Sequence, residues 1–182
     1  MNTTQTTFNA KSHIQLLAAA IFITIGLLQL WAMGSDNSRP NAFAFLFLLA
    51  GTPLLALIHS SLVAVTTYGP SIPRKLGFIA LSAVAQIGAF VVFILGFRLL
   101  GDSTFIPVVI ASVAGCLMYL GVMSLVLRLP IVGRTIGLGC GLSSVWAIGL
   151  LFPEPGWVFT IEPFVWWIGV STSLALTMPK KA

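Results

Sequence analysis

The chain has 182 residues, of which 58% are hydrophobic and 7% charged, with a net charge of +5. Soluble domains carry about 25% charged residues, so this composition argues against a water-soluble globule, whose surface it could not cover. It also argues against a nucleic-acid binder, because the basic residues sit singly or in pairs at the ends of apolar runs and make no stripe that follows phosphates.

In chain order, residues 1–12 are polar and read as an N-terminal tail. The first apolar run, 14–33, is long enough for a hydrocarbon core of about 30 Å. A polar turn closed by Pro40 leads to the second run, 42–66, in which Pro53 removes a backbone donor and predicts a kink. The third run covers 76–97 and the fourth 105–127, the latter with Pro107 in its first turn. The glycine-rich fifth run covers 135–152 and the sixth 158–178. The expected fold class is therefore an all-α integral membrane protein, a six-transmembrane-helix bundle in one domain with short loops.

Charge placement predicts the orientation. With six spans, one side receives Lys11, Arg74, Lys75, Arg128, Arg134, Lys180 and Lys181. The other receives Arg39 and Arg98 with Asp36, Asp102 and Glu154. The basic excess marks the cytoplasmic side, which puts both termini there and the chain in the plasma (inner) membrane.

Polar residues inside apolar runs are the candidates for a site. His59, Gln86 and Glu162 form the candidate polar intramembrane set, since such groups in lipid need a partner or a wet cavity. Haem held by two histidines needs a second intramembrane imidazole, and His13 stands at the edge of its run instead. No metal-spaced cluster is visible, and Cys116 and Cys140 read as small buried hydrophobes. Pro163 suits the first position of a helix. That start would place Glu162 at the outward interface, with Trp157, Trp166 and Trp167 as anchors; a helix that starts earlier would hold Glu162 about one or two turns deep.

The fifth run carries two rows of small residues at a spacing of four: Gly133, Gly137, Gly141, and Thr135, Gly139, Ser143, Ala147. Small residues so spaced let helices approach closely, so two rows predict close neighbours on two sides. Serine-hydrolase, zinc-protease and phosphate-loop motifs are missing. With so few ionisable groups, the chain is expected not to be an enzyme and to need no cofactor or metal. The expected function is a non-enzymatic membrane protein acting through helix–helix contacts, with lipid and a membrane partner or a second copy as its surroundings. The alternative is a small transporter, channel subunit or solute-binding module for a neutral or weakly polar compound.

Overall fold

Asn9 sets where the first helix starts. Its side-chain oxygen accepts the Ser12 backbone N–H at 3.1 Å, which satisfies one of the donors orphaned at a helix start. From there α1 runs over Ala10–Gly34. The residues just before it form β1 (Thr7–Phe8), which pairs antiparallel with β2 (Thr67–Tyr68). β2 follows directly on α2 (Thr52–Thr66). The Asn9 N–H donates to the Thr66 carbonyl at 2.9 Å, so the N-terminal strand is fastened to the end of α2. The structure is a computed structural model and describes residues 6–34, 52–100, 105–151 and 158–178.

Gly69, at φ 107°, turns the chain out of β2 in a conformation that favours glycine. α3 (Ile72–Leu100) starts with Pro73 in its first turn, where the missing N–H costs nothing. This is earlier than the expected run, so Arg74 and Lys75 belong to the helix. α4 (Phe105–Val122) ends in one π-helical turn, Met123–Leu127, followed by Arg128 in the left-handed conformation. α5 (Gly133–Ser144) tightens into a 3₁₀ helix over Val145–Leu151, and α6 covers Val158–Thr177. The described chain is all-α apart from one short strand pair. The kink expected at Pro53 falls at the edge of the described residues, because α2 is described from Thr52.

Each helix packs on its neighbours in the chain, and α6 returns to α1, so the helices close a ring. α2 and α6 also touch across it. The outside of this ring is apolar: Phe22, Leu99 and Leu125 are 81%, 82% and 81% exposed. α3, and α4 continued to Leu127, are long and apolar enough to cross a membrane. Only 22% of the apolar window of α3 is buried within the protein. A helix in the core of a soluble protein would be mostly covered, whereas an apolar helix this open has lipid as its natural solvent.

Candidate functional site

The ring is filled at one end by polar side chains. His13 comes from the first turn of α1, Thr66 from the last residue of α2, Tyr119 from late α4 and Ser171 from the second half of α6. His59 joins them from the middle of α2. These helices alternate in direction around the ring, so the start of α1 and the ends of α2, α4 and α6 meet at one level. All five side chains are buried, His13 and His59 completely.

The Ser171 hydroxyl lies between the two imidazoles, 2.8 Å from His13 Nε2 and 2.9 Å from His59 Nε2. The other ring nitrogens are also engaged: His13 Nδ1 with Thr66 Oγ1 at 3.2 Å, and His59 Nδ1 with Tyr119 OH at 2.9 Å. Aromatic rings enclose this chain. Trp167 stacks on His59 with centroids 5.7 Å apart and 21° between planes, while Trp166 meets it edge-on at 5.8 Å. Phe8 of β1 lies 5.0 Å from His13. Apolar walls strengthen each hydrogen bond inside and penalise any group left without one.

Proton counting gives the chain a direction. Thr66 donates its hydroxyl hydrogen to the Leu62 carbonyl at 2.7 Å, so His13 Nδ1 must be the donor to Thr66 Oγ1. His13 Nε2 then accepts from Ser171, and Ser171 Oγ accepts from His59 Nε2–H. His59 Nδ1 is left to accept from Tyr119. Every donor finds an acceptor, and both imidazoles are neutral, in opposite tautomers. The reverse order would leave the Tyr119 O–H without an acceptor among the described residues, a cost of about 1–3 kcal/mol for a buried group.

His13 precedes the apolar run, and burial lowers its pKa from 6.5 to about 4, against a smaller upward effect of a hydrogen bond with the Leu62 backbone. This agrees with its neutral place in the chain. Both Nε2 atoms are directed at Ser171 Oγ, so neither is free to hold a metal or haem iron while that hydroxyl stays between them.

A second feature lies between α5 and α6. Thr135, Gly139, Ser143 and Ala147 are buried. Their counterpart on α6 is Gly169, Ser173 and Thr177, also at a spacing of four. Thr135 Oγ1 meets Thr177 Oγ1 at 2.7 Å. A Cβ on Gly139 would stand 3.3 Å from Ser173 Oγ, and one on Gly169 would stand 2.7 Å from the Ser143 backbone nitrogen. The helices cross closest at Gly169. The other row behaves differently: Gly133, Gly137 and Gly141 are exposed, and a Cβ on any of them would meet nothing within 4 Å. Among the described residues, the close neighbour of this helix is found on one side.

Of the sequence-predicted polar residues, His59 and Gln86 make no contact with one another. His59 is central to the buried chain, but its partners are His13, Ser171, Tyr119, Trp166 and Trp167 rather than Gln86. Gln86 is half-buried on α3. α6 is already helical at Val158, so it does not start at Pro163, and Glu162 falls in its second turn; the Glu162 side chain and Trp157 lie outside the described residues. Trp166 and Trp167 are 4% and 1% exposed and pack on His59 instead of anchoring at an interface. The edge position of His13 does not keep it from His59, whose ring centroid is 5.9 Å away. Cys116 is buried and Cys140 half-buried, both free thiols.

The chain matches no family model, no curated protein and no solved structure.

Proposed function

We propose that the protein is a six-span membrane protein, with both termini cytoplasmic, that works without catalysis through helix contacts inside the bilayer. The observation that carries this reading is the unequal use of the two small-residue rows on α5. One is consumed by α6, while Gly133, Gly137 and Gly141 are exposed on an apolar ring and meet nothing among the described residues. In lipid there is no hydrophobic gain from covering a helix face, so close approach along a flat glycine row is a principal source of association. Such a face fits a membrane partner or a second copy.

Topology is tested by reporters fused in the turns after each apolar run, which should alternate between cytoplasmic and outer signals. The contact reading is tested by replacing Gly133, Gly137 and Gly141 together with Leu. The wild-type protein should leave the membrane in mild detergent as a defined oligomer or with a stoichiometric partner. The triple variant should lose that association while keeping its monomer stability. A wild-type protein that runs as a monomer without a partner would sink this reading. The transport alternative has less support, because His59 and Gln86 do not meet and the His59 surroundings are filled by aromatic rings.

A further inference from the structure

We infer that the His13–Ser171–His59 chain is a proton-sensitive latch that holds the N-terminal strand against the end of α2. The premise is the proton order. Both imidazoles must be neutral for the sequence Tyr119 to His59 to Ser171 to His13 to Thr66 to satisfy every member. An added proton on His13 sets a second donor against the Ser171 hydroxyl, which already receives the His59 Nε2–H. Ser171 must then turn its own hydrogen away, toward its own helix. An added proton on His59 sets a donor against Tyr119, whose hydroxyl hydrogen loses its acceptor. Protonating His13 thus reverses its bond with Ser171, and protonating His59 leaves the Tyr119 hydrogen unmet.

Charge adds to this. Among the described residues, the titratable groups facing the pair are the two histidines themselves and Tyr119 from α4. α2 brings Thr66, α6 brings Ser171, Trp166 and Trp167, and β1 brings Phe8. Lys11, the nearest charge along α1, is exposed. A proton added to either ring would be a charge buried among these groups, and burying a charge is expensive.

The least costly relief is to hydrate His13 by releasing what covers it. Among the described residues that cover is small: one two-residue strand pair, the Asn9 N–H bond to Thr66, and the Phe8 ring. The remaining helices need not move. Acidification on the side carrying the N-terminus therefore unfastens the strand and first turn of α1 and leaves the ring closed.

The test is hydrogen–deuterium exchange on the full chain in nanodiscs, with labelling times scaled to cancel the chemical effect of pH. Opening should rise about tenfold for each pH unit below the ordinary histidine value, near 6.5. Protection of the Asn9 and His13 amides is thus expected to fall about fortyfold between pH 6.5 and 4.5, while α3 amides that exchange by local fraying stay unchanged. His13→Gln, a neutral side chain with one donor end and one acceptor end, should make that protection flat with pH. Constant wild-type protection, or an undiminished fall in His13→Gln, overturns the latch. If the variant does not fold, nitrogen-15 spectra of the wild-type histidines decide. One Nδ1–H and one Nε2–H tautomer at pH 7.5 is the required result, and two Nε2–H tautomers overturn it.

Discussion

Gly169→Ala isolates the α5–α6 contact. The new methyl carbon would stand 2.7 Å from the Ser143 nitrogen, 2.8 Å from the Leu142 carbonyl carbon and 3.0 Å from Ser143 Cα, all backbone atoms that cannot rotate aside. Ordinary contact begins at 3.4 Å, so the helices must part by the difference, about 0.7 Å, at that point. The Thr135–Thr177 bond, now 2.7 Å, would stretch to about 3.4 Å if the helices part evenly, near the limit of a hydrogen bond. Overpacking of this kind costs about 1–3 kcal/mol, and the lost bond about 1 kcal/mol more. Alanine's better helix propensity returns about 1 kcal/mol. Gly137→Ala is the reference, because its methyl would meet nothing within 4 Å and it has the same propensity gain. Equilibrium unfolding in mixed micelles should therefore separate the two variants by about 2–4 kcal/mol. Stabilities within about 0.5 kcal/mol of each other, inside the usual scatter of surface substitutions, would refute the close crossing.

Tyr119→Phe removes a donor without changing the ring, and leaves His59 Nδ1 as a buried acceptor with no hydrogen. It should destabilise by about 1–3 kcal/mol in the same unfolding measurement; an unchanged stability would mean that Tyr119 does not supply that proton. Global stability should also depend on pH. His13 binds its proton near 6.5 when unfolded and near 4 when folded, so between these values the unfolded state holds more protons. Stability is then full above pH 6.5 and falls by about 1.4 kcal/mol per unit on the way to pH 4. Denaturation midpoints measured at pH 7, 5.5 and 4.5 check the slope, which should shrink in His13→Gln.

Helix positions were legible because apolar runs and their breaks are local. The described helices lie on the six runs, and Pro107 falls in a first turn as its fixed backbone angle requires. The buried chain was only half legible. His59 is conspicuous in an apolar run, but its partners depend on which helix ends meet, and no local pattern carries that. His13 reads as an edge residue until α1 and α2 are placed side by side. Ser171 is one of several small polar residues in its helix, and Tyr119 looks like any aromatic. The α6 row of Gly169, Ser173 and Thr177 did carry a readable signal: it repeats the spacing of the α5 row it packs against. Trp166 and Trp167 misled because tryptophan near a run's end suits a membrane interface as well as a core, and only the ring closure places them inward.

The bond between His13 and Ser171 joins residues 158 positions apart, which makes it a clock for synthesis. Ribosomes deliver α1 before α6, so the His13 imidazole waits through the synthesis of the intervening helices for the serine that donates to it. A product cut short before α6 would keep both histidines, lack Ser171 and both tryptophans that wall the pair, and present two unmet imidazoles within apolar surroundings. Closing the polar core must wait for α6, and a copy cut before α6 is chemically distinct at the start of α1 from one that contains it.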